Sequence, residues 1–296
     1  MNKYQLISDP EFGYLRVDPK PSKKEVEDFY KKDFYIEQES KINDSSLEVQ
    51  IKDKFFFDSR WQRIYDICES ILGNLNKKKV YDVGFGFAQG LIYYKNKGLI
   101  CSGVEPSSEA VEYAKQNGLD NVFVGDIEGG KTYENQSKQD LVLLINVLEH
   151  LRNPADVLIQ IKNNLLKKEG VLVIDVPNEF NAFQEVANTE FDLKEWWVSP
   201  PGHINYFTVK SLANLLEKTG YEIKVKESSF PMEMFMLFGE VYVGDNEIGG
   251  NCHKKRKNFE ELLIKNGHKK KLYQLYEKLA ELELGRQITI YAQPKK

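Results

Sequence analysis

Two glycines at alternate positions, directly behind an apolar run that ends in an acid, are the residues whose spacing first implies chemistry. The run is Val80-Tyr81-Asp82-Val83-Gly84-Phe85-Gly86-Phe87-Ala88. It reads as a buried parallel strand turning sharply into a helix, with backbone left open to a ligand. Gly84 and Gly86 let main chain approach that ligand with no Cβ between, and Phe85 shares their turn. Gln89 stands where G-x-G-x-x-G needs its third glycine, so the dinucleotide fingerprint is not met. Asp82 would repel a phosphate and attract an amine. A nucleoside carrying a cationic amine therefore suits this turn better than a pyrophosphate.

Three further strand ends carry polar groups. Leu99–Val104 closes on Glu105, roughly 20 residues past the glycine turn, where an acid grips ribose hydroxyls in such folds. Pro106-Ser107-Ser108 offers other caps to the next helix, which frees Glu105 for the ligand. Val122-Phe123-Val124 runs into Gly125-Asp126-Ile127, a carboxylate suited to an exocyclic amine, and Leu141–Ile145 into Asn146-Val147-Leu148-Glu149-His150. These ends, in this order, resemble the class I S-adenosylmethionine-dependent methyltransferases, in particular the small-molecule branch with a Leu-Glu-His ending to its fourth strand. The resemblance covers residues 60–227 and a last strand near 287–293. It implies S-adenosylmethionine as cofactor, held by Asp82, Gly84, Phe85, Gly86, Glu105, Pro106, Asp126, Ile127 and Asn146. Asp126 would meet the adenine, and Asn146 would lie near the reactive methyl. Ala88 departs from the family, many of whose members carry a third glycine there.

Acceptor chemistry falls on the loop Pro200-Pro201-Gly202-His203-Ile204-Asn205-Tyr206-Phe207. An imidazole titrates near neutrality and could take a proton from an attacking hydroxyl or amine, so His203 is the candidate general base. Its loss would then tell most near neutral pH. His150 either bonds backbone locally or faces the substrate, and Tyr206 either packs or donates to the acceptor. Arg60 and Arg63 could hold a cofactor carboxylate, although solvated helix positions are the plainer reading. Cys252-His253 with His268 lacks a fourth ligand, so no metal is expected.

The elements that must position these groups alternate strand and helix from Lys79 to Glu227, which implies a doubly wound, seven-stranded Rossmann-like α/β sheet. The resemblance adds an antiparallel last strand. Four segments are expected: a helical N-terminal segment 1–75, a cofactor-binding core 76–227, an insertion 228–286 and the final strand 287–296. Ser22 and Glu25 form a capping box for a short helix carrying Val26, Phe29 and Tyr30. Apolar spacing predicts a helix over 51–73 stopped by Gly73. Asn153-Pro154 predicts an N-cap with an N1 proline, Thr208 caps a helix ending at Gly220, and a lysine-rich helix is expected over 258–283. The aromatic segment 178–207, the insertion and the N-terminal segment become lids if they leave the ligand edge of the sheet. The insertion could equally serve a homodimer contact.

The 296 residues carry a formal net charge of −4, which gives no general affinity for nucleic acid or anionic membrane. Three cysteines without paired spacing exclude a disulfide framework. With no signal-like apolar run at the start, a cytoplasmic protein is expected. The expected function is methyl transfer to a small-molecule acceptor, with a sugar or nucleotide-sugar of surface glycan synthesis as the finer expectation. An RNA methyltransferase and a non-catalytic cofactor-binding subunit are the alternatives.

Overall fold

The computed structural model describes residues 3–29, 47–129 and 136–295. Tyr30, expected on the first helix, lies outside them. The chain opens with two short strands, β1 (Gln5–Ser8) and β2 (Leu15–Asp18), then α1 (Lys23–Phe29), α2 (Leu47–Lys52) and α3 (Lys54–Leu72). The alternating core follows: β3 (Lys79–Val83), α4 (Gln89–Asn96), β4 (Ile100–Glu105), α5 (Ser108–Gln116), β5 (Val122–Val124) and β6 (Gln139–Ile145). Then come α6 (Pro154–Gln160), β7 (Leu166–Pro177), α7 (Ala182–Glu190), β8 (Asn205–Tyr206), α8 (Val209–Lys218) and β9 (Tyr221–Ser228). The chain closes with α9 (Glu233–Leu237), α10 (Asn246–Lys265), α11 (Lys269–Glu281) and β10 (Gln287–Pro294).

Seven strands pair in the order β5-β4-β3-β6-β7-β10-β9, with β10 antiparallel to both neighbours. The winding reverses between β3 and β6, so the crevice beyond their carboxyl ends is where a doubly wound sheet takes its ligand. Side chains on the central strands alternate between two cores. Val142, Leu144, Leu172 and Ile174 face α6 and α8, while Leu141, Leu143, Val171 and Val173 face α3 and α4. This settles the expected seven-stranded sheet with its antiparallel last strand.

Several local expectations hold. Ser22 Oγ accepts from the Glu25 amide while the Glu25 carboxylate accepts from the Ser22 amide, and Thr208 forms the same box with Ser211. Gly73 ends α3 at φ 72°. Others need correction. The N-terminal segment is not helical throughout, because β1 and β2 form a separate sheet with β8 from the aromatic loop. Pro154 does open its helix, but Asn153 makes no side-chain cap; its side-chain oxygen accepts from Lys20 Nζ at 3.1 Å instead. The lysine-rich helix is two, broken where Gly267 takes φ 79°.

Candidate active site

The glycine turn is fastened from two sides. Gly84 takes φ 70° and Gly86 φ 52°, left-handed backbone that favours glycine. A Cβ on Gly84 would come within 2.8 Å of Val147 Cγ2, so this turn and the one after β6 lie in contact. Gly103 is a requirement the sequence reading missed: a Cβ there would meet Asp82 O at 2.6 Å and the buried Phe85 ring at 2.8 Å. Glu105 Oε2 accepts from the Gly86 amide and Oε1 from the Ser107 amide, each at 2.9 Å. The acid that would meet the ribose thus also fixes the turn, while Ser107 caps α5 as expected. Ala88 enters α4 at φ 55°, the left-handed conformation that a glycine would adopt without strain.

Asp82 is buried, and its Oδ1 has no hydrogen-bond partner among the described residues. Burial and then the neighbouring Glu105 charge hold its carboxyl well above the usual range, with Arg60 opposing. A carboxylate in that state gains from a cationic donor.

Arg60 and Arg63 are not the solvated helix residues the plainer reading favoured. Arg60 Nη2 donates to Asp175 Oδ1 at 2.8 Å, and Arg63 Nε donates to Glu227 Oε1 at 3.1 Å with both partners buried. The fold places Asp82, Asp175 and Glu227 on the face of β3, β7 and β9 that α3 covers. Each acid lies on a different strand from the arginines' helix, so local sequence could not reveal the pairing.

The second cluster forms where the aromatic loop returns to the end of β6. Asn205 Nδ2 donates to Leu148 O and Leu151 O at 3.2 and 2.7 Å, and the Ile204 amide donates to Glu149 O at 2.8 Å. These bonds bring the His150 and His203 rings to 5.0 Å between centroids. His150 Nδ1 lies 2.9 Å from Gly202 O; a carbonyl only accepts, so Nδ1 carries the proton. Burial lowers the His150 pKa, and burial, His150 and Arg286 together push His203 down to about 3. The expected titration of His203 near neutrality is therefore corrected: the ring is neutral there and a weak base. Tyr206 is also reassigned. Its hydroxyl accepts from the Ser199 amide and donates to His203 O, both at 3.1 Å, which commits it to holding the loop.

Among the remaining expected contacts, Pro106 and Asn146 are exposed, whereas Ile127 is buried in the core. Asn146 has φ 55°, and its amide donates to Asp175 O at 2.8 Å. Asp126 is half-exposed, its Oδ1 accepting from the Glu128 amide and its Oδ2 lying 3.6 Å from Lys23 Nζ. Helix α1 thus reaches Asp126 with one residue, and its Phe29 ring lies against Gly202. It bridges the cofactor-side and acceptor-side turns. Beyond β7 and β9 lie the buried Glu179 and Glu233, and the half-buried Arg286 donates from Nη1 to Glu233 Oε1 at 3.0 Å. Helices α10 and α11 instead contact α3 and β9, so the far part of the insertion covers a sheet face rather than the strand ends. A recess of about 290 Å³ is lined by Val209, Lys210, Glu217, Lys226 and Glu281, none of them among these groups.

Residues 59–225 match the family described as a methyltransferase domain, and the chain belongs to that family. Its fold is that of the class I enzymes that use S-adenosylmethionine. A ubiquinone biosynthesis O-methyltransferase of Haemophilus ducreyi is 34% identical over 122 residues, 38% of this chain and 51% of that protein. A probable (S)-tetrahydroprotoberberine N-methyltransferase of Papaver bracteatum is 31% identical over 45% of this chain and 38% of that protein. The chain spans about half the length, or less, of the curated relatives it matches. Among solved structures, a plantazolicin methyltransferase in complex with SAH superposes with TM-score 0.55 at 14% identity, covering 92% of this chain and 95% of that one. A SAM-dependent methyltransferase from Archaeoglobus fulgidus gives 0.51 at 18% identity, covering 84% and 100%. Among the described residues, no helix is long and apolar enough to cross a membrane.

Proposed function

We propose that this chain transfers a methyl group from S-adenosylmethionine to a small-molecule acceptor. The observation that carries the reading is the buried, unpartnered Asp82 Oδ1 beside the Gly84–Gly86 cradle and Glu105. Asp82 would receive the cofactor's amino group, Glu105 the ribose hydroxyls and Asp126 the adenine amine. Arg60, whose charge already offsets Asp82, would be the cation that meets the carboxylate. When bound, the cofactor supplies a methyl already activated by its sulfonium. The protein's task is then to align the nucleophile and exclude water.

His150 and His203 mark the acceptor end, with α1 and the loop 199–206 over it. A neutral His203 can accept a hydrogen bond from an acceptor hydroxyl, but a pKa near 3 makes it a poor proton sink. Both the O- and the N-methyltransferase relatives act on small molecules by name, which supports the acceptor class. The narrower sugar expectation leaned on the aromatic loop. Trp197, Tyr206 and Phe207 are buried there and offer no open stacking face, so the acceptor stays a small molecule without a narrower class. Nothing favours the RNA alternative: Lys255, Lys257, Lys265 and Lys269 of the basic helices pair with Glu240, Asp53, Glu261 and Asp66.

Calorimetry with S-adenosylmethionine and its demethylated product tests the reading. Tight binding of either, with none of a nicotinamide dinucleotide, is expected. The reverse would overturn it. Mass spectrometry of small molecules retained by the purified protein would identify the acceptor class.

A further inference from the structure

Arg286 directly precedes β10, the strand that runs antiparallel between β7 and β9. Gln287 pairs with Pro177 and Ile288 with Ser228, the last residues of β7 and β9. Arg286 therefore lies beyond the carboxyl ends of those strands, the edge on which such a sheet takes its ligands. Its backbone is fixed from both sides. The Asn178 amide donates to Arg286 O, Asn178 Nδ2 to Gly285 O and the Ser229 amide to Gln287 O, each at 3.0 Å. One ion pair fixes the guanidinium, from Nη1 to Oε1 of Glu233, whose side chain is fully buried while that of Arg286 keeps 29% exposure. That bond spends one donor of a fork that can serve two acceptors, and no other side chain among the described residues hydrogen-bonds to it. Glu179 feels the Arg286 charge, yet its Oε2 accepts from Gln184 Nε2 at 2.8 Å and no hydrogen bond joins it to the guanidinium. The same turn meets the aromatic loop. The Glu179 amide donates to Phe207 O at 3.0 Å and the Ile204 amide to Glu149 O at 2.8 Å, which carries the loop across the ends of β6 and β7, next to the start of β10.

We infer that Arg286 binds the methyl acceptor and that the acceptor arrives as an oxyanion, a carboxylate or an acidic phenolate, gripped by the unspent donors of the guanidinium. This inference rests on the methyl-transfer reading and names its substrate class. An arginine keeps its charge at any working pH, so the grip needs no titration. Charge-assisted, two-pronged hydrogen bonds of this kind also orient the oxygen that must attack in line. In the step itself a lone pair of the acceptor oxygen forms the new oxygen–carbon bond. The carbon–sulfur bond breaks and leaves its electron pair on sulfur, so anion and cation become two neutral products. No proton moves. That suits an acceptor end whose His203 is too weak a base to take one. The neutral ester or ether then loses the charge that Arg286 held, which favours its release.

The test uses the full chain with benzoate, para-nitrophenol, benzyl alcohol and benzylamine as probes at neutral pH. Binding is measured by calorimetry on chain saturated with the demethylated cofactor, and transfer with methyl-labelled S-adenosylmethionine. Benzoate, para-nitrophenolate or both should bind and be methylated in preference to the alcohol and the amine, and the one that responds fixes the kind of oxyanion. Arg286→Gln should weaken that binding by at least about tenfold, and Arg286→Lys, which keeps the charge without the fork, by less. Arg286→Gln strands the buried Glu233 carboxylate, so the double variant with Glu233→Gln replaces it if circular dichroism shows the single one unfolded. Preference for the alcohol or the amine, no binding of either anion, or anion binding unchanged in a folded variant would overturn the inference. S-adenosylmethionine calorimetry on the same samples separates the two claims. Intact cofactor binding with any of those outcomes sinks this inference alone, whereas no cofactor binding by the parent chain sinks the methyl-transfer reading.

Discussion

Replacing His203 by glutamine should remove much of the acid sensitivity of the fold. The half-buried ring lies beside His150 and within reach of the Arg286 charge, and desolvation and these charges push its pKa from the ordinary 6.5 to about 3. A histidine whose folded pKa lies below its unfolded value binds its proton more weakly when folded. Its contribution is therefore complete above pH 6.5 and is lost as pH falls toward 3. Each unit in that window costs about 1.4 kcal/mol, so between pH 7 and pH 5 this one ring should cost about 2 kcal/mol. Glu149 acts in the opposite sense, because burial raises its pKa and the folded state gains a proton as pH falls. Only the difference between parent and variant isolates the His203 contribution. Urea unfolding at pH 7 and pH 5 in chelator, for parent and His203→Gln, measures it directly. Parallel stability changes in the two proteins would mean that water reaches the ring, and would refute both the burial argument and the claim that His203 is neutral at working pH.

Asp82→Asn should raise the melting temperature of the ligand-free protein by removing an unpaired buried charge, yet weaken S-adenosylmethionine by about tenfold or more in calorimetry. Glu105→Ala should lose about 2–4 kcal/mol of cofactor affinity and also lower the melting temperature, because the Gly86 and Ser107 amides lose their acceptor. Unchanged affinity in folded Glu105→Ala would leave Glu105 a turn fastener only. Arg63→Ala, which strands Glu227 against Tyr291, should cost about 3–5 kcal/mol in urea unfolding; less than 1 kcal/mol would mean that the pair is solvated.

What the sequence disclosed was local. Each central strand is an apolar run ending in a polar group, so Asp82, Glu105 and Asn146 could be placed at strand ends before any pairing was known. The Ser22–Glu25 box and the Thr208 cap were equally readable, because a cap and its partner lie within three residues, although the reciprocal bond from Ser211 was not foreseen. Long-range pairing was not. Four-residue strands β1 and β2 find their third partner in the two residues of β8, nearly two hundred positions on. Arg60 reaches Asp175 across 115 positions, and on its helix it looks like any polar residue. His150 and His203 were each marked, but nothing local indicated that Asn205 and Ile204 would fold one ring over the other.

The charges of the assembled site explain why it should seek a cationic ligand. Around the strand edge the fold buries seven acids: Asp82, Glu105, Glu149, Asp175, Glu179, Glu227 and Glu233. Three arginines answer them, Arg60 on Asp175, Arg63 on Glu227 and Arg286 on Glu233. Seven less three leaves Asp82, Glu105, Glu149 and Glu179 without an arginine of their own, and burial raises the pKa of all four. Apolar replacements would cost the empty fold less than these carboxylates do. Asp82 and Glu105 sit at the glycine cradle, where an ammonium group and ribose hydroxyls would relieve them. Glu149 sits with the two histidines at the acceptor end.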